Sequence, residues 1–547
     1  MIKGFSTKFI FIVGGVMSGV GKGVAAASIG KILQSRGFKI SLVKIDPYIN
    51  IDAGTMNPTE HGEVFVTDDG DETDQDIGNY ERFLNTDIPS INYMTTGRVY
   101  QTVIEKERNL SFGGKCVEVV PHIPLEVIRR LKLAAKNNNA DFLIVEVGGT
   151  IGEYQNVLFL EAARMMKYSQ PEGVAFILVS YLPIPSNLGE MKTKPTQYAA
   201  RTLHSTGINT DFIICRGEKP LDGVRKEKLA VFCSVKKEHT ISSPDVKSIY
   251  EVPLNFEKER LSQKLLSFFK LRPRKKNLTD WNKLVKVIIK PNKPIVKIGI
   301  VGKYFGTGDF VLADSYISVI EGVKHACWKM GLEPDISWIN SEDFEKSRPN
   351  WSDLEKYQGI IVPGGFGNRG TEGKIAVTQY ARKKKIPYFG LCYGMQLMCV
   401  EFARNVCKMK NANSTEINRK TPYPVIHIMP EQIQNLRQKN FGASMRLGAY
   451  PCLLNAKSKS AGIYRVKNIS ERHRHRYEFN NKYRDIFQKK GLIIAGTSPD
   501  NKLVEIVEVS DHPFMIGTQF HPELKSRPLS PHPLYLGFIK ATQNQKI

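Results

Sequence analysis

Short apolar runs rich in β-branched and aromatic residues recur along the chain, each followed by a longer stretch with helical spacing. The first is Phe9-Ile10-Phe11-Ile12-Val13; it stops at Gly14-Gly15 and is followed, from Val24 to Gly37, by a helical pattern. Lys39 to Asp46, Asp141 to Val147, Gly173 to Ser180 and Thr210 to Arg216 repeat the apolar signal. Continuous apolar runs of this length predict strands buried on both faces, and the helical patterns between them predict a parallel, doubly wound sheet. From Phe268 to Pro294 the pattern turns basic and polar, with prolines. A second α/β series opens at Ile295–Tyr304 and includes Ile360-Ile361-Val362, Ile386–Leu391 before a helical Leu397–Arg404, and Phe514–Phe520. The expected architecture is α/β with two doubly wound domains, 1–267 and 295–547, joined by a linker at 268–294.

The first strand–helix junction, Gly14-Gly15-Val16-Met17-Ser18-Gly19-Val20-Gly21-Lys22-Gly23, is rich in glycine around one lysine. Such a turn points backbone N–H groups and a helix N-terminus at a phosphate, with the lysine reaching the outer phosphates. The spacing departs from the usual G-x-x-x-x-G-K-[ST] pattern: five residues separate Gly15 from Gly21, and Gly23 stands where a hydroxyl normally holds Mg²⁺. A nucleoside triphosphate here needs its metal held by carboxylates elsewhere. Plain packing of a glycine turn is the competing reading. A secretory leader is the other, and Lys22 with five glycines breaks the apolar core such a leader needs.

Charge and cysteines narrow the class. A net charge of +24 suggests nucleic-acid binding, but no aromatic-interleaved basic run or known nucleic-acid module is present, so a lysine-rich surface with polyphosphate sockets is expected instead. No apolar run approaches a membrane span. The eight cysteines show no C-x-x-C pairing and read as reduced thiols of a cytoplasmic protein, with room for one nucleophile.

Two further features of the first half carry chemistry. The stretch from Asp46 to Glu81 is polar and dense in carboxylates, notably Asp68-Asp69-Gly70-Asp71-Glu72-Thr73-Asp74-Gln75-Asp76, which repel unless solvated or neutralised. A divalent cation is one remedy; a solvated loop is the alternative. Glu146 interrupts an apolar strand at its carboxyl end, where open α/β sheets bind ligands, and calls for a cation. Glu146 with an Asp of the acidic stretch would supply the missing metal ligands. Lys192-Thr193-Lys194-Pro195-Thr196-Gln197 suits a second phosphate cluster, or simply a turn entering a helix.

In the second half, Gly390-Leu391-Cys392-Tyr393-Gly394 lies between a strand and a helix. G-x-C-x-G there is the geometry of a nucleophile elbow, with the thiol at a helix N-terminus. The strand to Phe520 runs into His521-Pro522-Glu523, a base for Cys392 and a carboxylate to orient it. The glycine turn at Pro363–Gly367 offers N–H groups to an oxyanion.

Taken with Asp46-Pro47-Tyr48-Ile49-Asn50, His61–Thr67, Lys192–Gln197, Asn413-Ser414-Thr415-Glu416, Met445–Ala449 and Glu471–Glu478, these motifs resemble the CTP synthase family over nearly the whole chain, with 295–547 similar to class I glutamine amidotransferases. The resemblance implies ATP-dependent phosphorylation of UTP at O4, then amination by ammonia from glutamine. By resemblance, ATP contacts Gly19, Val20, Gly21, Lys22, Gly23, Val24, Lys44, Asp76, Pro244, Asp245 and Val246, and Mg²⁺ sits on Asp76 and Glu146. UTP or CTP contacts Ser18, Glu153, Tyr154, Gln155, Lys192, Thr193, Lys194, Pro195, Thr196, Gln197 and Lys228. Glutamine is held by Gly365, Tyr393, Gly394, Met395, Gln396, Glu416 and Arg476, with Cys392, His521 and Glu523 catalytic. The family also implies a homotetramer, GTP activation, with Arg446 in a GTP-linked segment, and CTP inhibition.

Some positions depart from the family. Glu153-Tyr154-Gln155 replaces the usual Asp-Ile-Glu, Glu118 stands for Gln, Pro244 for Lys and Tyr393 for Leu, and the 305–312 segment is longer. Gln155 is expected to alter CTP feedback, because an amide both donates and accepts, and Tyr393 to reshape the glutamine pocket. Two rivals remain: another two-domain amidoligase, such as a cobyrinate-type amidase, which Lys192–Gln197 and His61–Thr67 disfavour, and a non-catalytic nucleic-acid-binding or filament protein.

Overall fold

Phe9, Ile10, Phe11, Ile12 and Val13 are all at most 1% exposed, as a strand covered on both faces requires. In the computed structural model, which describes residues 7–187, 189–302, 306–307, 310–311, 313–346, 348–365, 367–430, 432–438 and 441–545, this strand spans Lys8–Gly14. It pairs in parallel with Phe142–Val147 on one side and Val174–Tyr181 on the other. The full sheet runs Tyr93–Thr95, Ile40–Asp46, Phe142–Val147, Lys8–Gly14, Val174–Tyr181, Phe212–Gly217, Thr240–Pro244, all parallel. The two outermost strands were not apparent from pattern; one has three residues and in the other three of five residues are serine or threonine, so neither makes an apolar run.

The chain forms two compact units: Met1–Asp52 with Asn79–Ile289, and Ala53–Gly78 with Lys290–Ile547. The second is built on a nine-stranded sheet. Its first five strands, Glu333–Asn340, Ile295–Gly302, Gly359–Val362, Tyr388–Leu391 and Met515–Thr518, are parallel. Four antiparallel strands follow: Val504–Val509, Leu492–Thr497, Arg446–Leu454 and Asn468–His475. The parallel half matches the expected α/β series; the antiparallel extension did not register as such, since its outer strand alternates charged and polar residues. Of the long segment at 305–312, residues 305, 308, 309 and 312 lie outside the described residues, as do 303, 304 and 366 of the adjoining motifs.

The acidic stretch is not a solvated loop. It folds into a short helix (Pro58–His61), an antiparallel hairpin (Val64–Val66 with Glu72–Asp74) and the start of the helix Gln75–Leu84. Arginines neutralise two of its carboxylates: Arg474 Nε donates to Glu72 Oε1 at 2.8 Å, and Arg472, itself fully buried, pairs with Asp68. Burial works against ionisation of Asp68, but Arg472 and Lys525 outweigh it and hold the carboxyl below its ordinary value. The carboxylates therefore dock this hairpin within its unit.

The stretch expected as a linker also carries structure. Thr279–Ile289 is a helix whose Trp281 is 1% exposed. Its ring lies 5.3 Å from Phe83 and 5.8 Å from Tyr250, its indole N–H donates to the Tyr250 carbonyl at 2.9 Å, and the Lys31 ammonium sits 4.9 Å from the ring centroid. Trp281→Ala is expected to lower the stability of the first unit by about 3–5 kcal/mol, the usual cost of emptying a buried tryptophan site, read as a lowered urea midpoint by circular dichroism.

Candidate active sites

In the first unit the candidate site lies where the central strand Lys8–Gly14 ends. The chain turns through positive φ at Val16 (77°), Gly19 (71°) and Gly21 (88°), and Gly21 caps the helix Lys22–Ser35. That helix starts two residues earlier than its apolar pattern, so Lys22 belongs to its first turn. No acidic residue lies in this turn to offset the positive end of the helix. The loop tip, Val16 to Gly19 and thus Ser18, is exposed. Lys22 Nζ donates to the Gly149 carbonyl at 2.9 Å.

Gly21 and Val24 line a cavity of about 210 Å³ together with Pro244, Asp245 and Val246. Sequence reasoning missed Arg216 in the same wall. Its guanidinium donates to the Val20 carbonyl at 3.1 Å and to Asp245 Oδ1 at 2.9 Å. It sits at the carboxyl end of an apolar strand, the position that singled out Glu146, and the same rule applied to it would have found it.

Glu146 is 2% exposed and accepts from Lys44 Nζ at 3.3 Å and from the Tyr80 hydroxyl. Lys44 and Glu146 are register partners on adjacent parallel strands, so the sheet itself sets the pair. Tyr80 was not anticipated; nothing in its sequence context marks it. Asp76 belongs to the segment Ala53–Gly78 of the second unit, in the first turn of Gln75–Leu84, its N–H bonded to Asp74 Oδ1 at 2.8 Å. Gly23 is buried in the helix Lys22–Ser35.

The remaining nucleotide candidates of this unit form two groups. Lys194 and Pro195 open the helix Lys194–Ser205. Thr193 accepts from Gln197 Nε2 at 3.0 Å, Thr196 shares a 2.8 Å hydrogen bond with Ser180, and Lys192 pairs with Glu190 at 2.7 Å. Lys228 is exposed on Gly223–Phe232. In the other group Glu153 accepts from the Thr150 N–H at 2.9 Å and from Gln155 Nε2 at 2.8 Å, while Tyr154 is 98% exposed. One N–H of the Gln155 amide is thus committed to the Glu153 carboxylate.

In the second unit Cys392 caps the helix Tyr393–Asn405, longer than the expected Leu397–Arg404, with φ 48° and ψ −98°. This is strained for a residue with a Cβ and is the backbone signature of an elbow. A Cβ on Gly394 would stand 2.0 Å from the Val362 carbonyl oxygen, so the turn closes only with glycine there. The Cys392 N–H donates to the Thr518 carbonyl at 2.7 Å, which ties the elbow to the strand leading to His521. His521 Nδ1 and Glu523 Oε1 are 2.7 Å apart. Burial alone would lower the His521 pKa, but the charges of Glu523 and Cys392 reverse this and raise it to about 10. Gln519, also unanticipated, points its Nε2 at Cys392 Sγ from 3.5 Å.

Cys392, His521 and Glu523 line a cavity of about 120 Å³ with Gly364, Gly365, Glu63 and Arg474. A Cβ on Gly364 would lie 2.9 Å from His521 Cε1, so this turn reaches the imidazole only because it is bare. The other glutamine candidates do not line the cavity. Met395 and Gln396 are buried in the helix, Gln396 Nε2 donating to the Tyr477 carbonyl at 2.9 Å. Arg476 donates to Gln432 Oε1 at 2.7 Å, and Glu416 Oε1 accepts from the Gly367 N–H at 2.9 Å. The Tyr393 side chain faces away from the cavity, its hydroxyl 2.9 Å from both the Gly367 carbonyl and Thr371 Oγ1.

Comparison with known proteins finds two family models along the chain. A family model described as CTP synthase N-terminus matches residues 8–271, and one for class I glutamine amidotransferase matches residues 311–541. A solved glutaminase domain of Trypanosoma brucei CTPS with bound acivicin is 37% identical, covers 46% of this chain and 95% of that chain, and gives a TM-score of 0.42. The CTP synthase of Picosynechococcus sp. is 48% identical over 98% of this chain and 96% of its own. That of Caldanaerobacter subterraneus is 48% identical over 99% of both. Likeness at this level along its full length means that the chain belongs to the CTP synthase family.

Proposed function

We propose that this ligase makes CTP from UTP, ATP and glutamine at two separate sites, with the synthetase domain at 1–267, the glutaminase domain at 295–547 and a connecting stretch at 268–294 whose helix Thr279–Ile289 packs into the first unit. The observation that carries the reading is the arrangement of the triad: a strained cysteine at a helix N-terminus shares a cavity with an imidazole whose Nδ1 lies 2.7 Å from Glu523. In the first step the γ-phosphoryl of ATP passes to O4 of UTP; the new O–P bond forms as the bond to the ADP oxygen breaks. Lys22 and the Gly19–Gly21 amides stabilise the charge on the transferring group. Lys44 adds positive charge beside Glu146. Asp76 and Glu146 would hold Mg²⁺, whose charge offsets that of the phosphates; their hard oxygen donors suit that ion. The cavity at Gly21, Val24 and Pro244–Val246 is the socket assigned to the adenine. Ser18, Lys192–Gln197, Lys228 and Glu153–Gln155 are assigned to the pyrimidine nucleotide.

At the second site the Cys392 sulfur attacks the carboxamide carbon of glutamine. Amides of Tyr393 and the Gly365 turn stabilise the oxyanion. His521 protonates the departing ammonia, leaving a thioester, then activates the water that releases glutamate. Ammonia displaces phosphate from C4 of the activated UTP and loses a proton to give CTP. Gly365, Tyr393–Gln396, Glu416 and Arg476 are assigned to glutamine through main-chain groups or by closing around it. Family membership also supports a homotetramer, GTP activation and CTP feedback, and eight free cysteines support a cytoplasmic setting. Among the described residues no helix is long and apolar enough to cross a membrane.

The first test measures CTP formation from UTP and ATP-Mg²⁺ with glutamine or ammonium as donor. Wild type uses both, Cys392→Ala only ammonium, and Lys22→Ala neither; a Cys392→Ala protein still using glutamine sinks the two-site scheme. A second reads the ion pair. With its pKa raised from 6.5 to about 10, His521 contributes stability that is fully present below 6.5 and is lost as pH rises through about 10. Wild type is therefore expected to unfold at higher urea than Glu523→Gln near neutrality, the gap closing above that pH. A third concerns feedback. Gln155→Glu places a second carboxylate against Glu153, and half-inhibition by CTP is expected to shift about tenfold, the worth of one hydrogen bond to a charged group. An unchanged inhibition curve would refute a role for Gln155.

A further inference from the structure

The side chain of Tyr393 plays no part in the chemistry described above, yet it is 2% exposed and well partnered at its hydroxyl. It is the first residue of the nucleophile helix, so its backbone N–H stands beside the reacting sulfur. Side chains on a helix tilt toward its N-terminus, and this one reaches the glycine turn opposite. The phenol donates to the Gly367 carbonyl at 2.9 Å and shares a 2.9 Å hydrogen bond with Thr371 Oγ1, which itself reaches that carbonyl at 3.4 Å. On the other side of the same residue, the Gly367 N–H is held by Glu416 at 2.9 Å. Gly367 is thus gripped at both its N–H and its carbonyl, two residues from the Gly365 that lines the Cys392 cavity. The Lys374 ammonium, 5.4 Å from the ring centroid, further fixes the ring.

We infer that Tyr393 is a positioning residue that ties the glycine turn to the nucleophile helix and so sets the spacing between the two sources of oxyanion N–H groups. This rests on the proposed glutaminase reaction. An aliphatic residue at this position could fill the space but could not bond the carbonyl, and Gly367 has φ 77° and no side chain of its own to hold it. The effect belongs to the acyl-transfer transition state, where charge develops on the carbonyl oxygen. Alkylation of the same sulfur by iodoacetamide develops no such charge.

Tyr393→Phe removes one oxygen and keeps the ring. Its kcat for glutamine hydrolysis is expected to fall about ten- to a hundredfold, with KM for glutamine little changed, since a small misplacement of reacting groups costs rate on this scale. The rate of Cys392 alkylation by iodoacetamide is expected to stay within about twofold of wild type, because it reports the thiolate and not the oxyanion site. Thr371→Val, which removes the hydroxyl that orients the phenol, is expected to give a smaller loss of kcat in the same direction and serves if Tyr393→Phe does not fold. Unchanged kcat in these variants overturns the inference, and so does a parallel loss of kcat and alkylation, which marks general disruption. A wild-type protein without glutaminase activity overturns the proposed function itself and this role with it.

Discussion

A carboxylate taken out of water costs several kcal/mol unless a cation is set against it, and both candidate sites are arranged around that requirement. Glu146 has Lys44 at 3.3 Å, Glu72 has Arg474 at 2.8 Å, Glu505 has Arg446 at 2.8 Å and Glu523 has His521 at 2.7 Å. Two of these pairings are imposed by backbone geometry. Lys44 and Glu146 face each other because two parallel strands are in that register. His521 and Glu523 meet because Pro522 opens a tight 3₁₀ turn between them. Burial alone would lower the pKa of the His521 imidazole; the facing Glu523, together with Cys392, raises it to about 10.

The same requirement explains a buried network behind the glutaminase site. Arg446 reaches Glu505, and His473 and His475 sit 3.2 Å apart against it. Burial and the Arg446 charge push both imidazoles well below their ordinary value, so they stay neutral and serve as hydrogen-bonding spacers. Burial pushes the Glu505 carboxyl above its ordinary value despite the facing Arg446, and the histidines fill the remaining polar space without adding charge.

Much of this was legible before any coordinates. Continuous apolar runs marked the central strands, because burial on both faces leaves no freedom in composition. Cys392, His521 and Glu523 stood out because a glycine-flanked cysteine and a strand ending in His-Pro-Glu are rare sequences with a geometric reason. Less legible were features whose meaning depends on a distant partner. The acids at Asp68 and Glu72 read as a solvated run or a metal cluster; only the fold shows that Arg472 and Arg474, some four hundred residues away in sequence, neutralise them. Tyr80 and Gln519 carry no local mark at all. Arg216 did carry one, a charge at the end of an apolar strand. The helix at Thr279–Ile289 hid in a basic stretch because its buried face is a single tryptophan and a few aliphatic residues.

Both sites stand at the carboxyl end of a parallel strand where a helix begins, yet the two junctions are built oppositely. At Gly21 the backbone is relaxed into a glycine and the charges are brought by side chains on neighbouring strands, Lys44, Glu146 and Arg216. Phosphoryl transfer asks for little more than this, since the protein forms no bond to the group being moved. At Cys392 the strain falls on the proposed nucleophile itself, and glycines are displaced to the positions around it. Acyl transfer needs a protein atom to form and then release a covalent bond, so the sulfur must be presented, not merely surrounded. On the proposed function, the difference between a glycine and a strained cysteine at otherwise similar strand–helix junctions is the difference between a site that arranges charge and one that supplies the nucleophile.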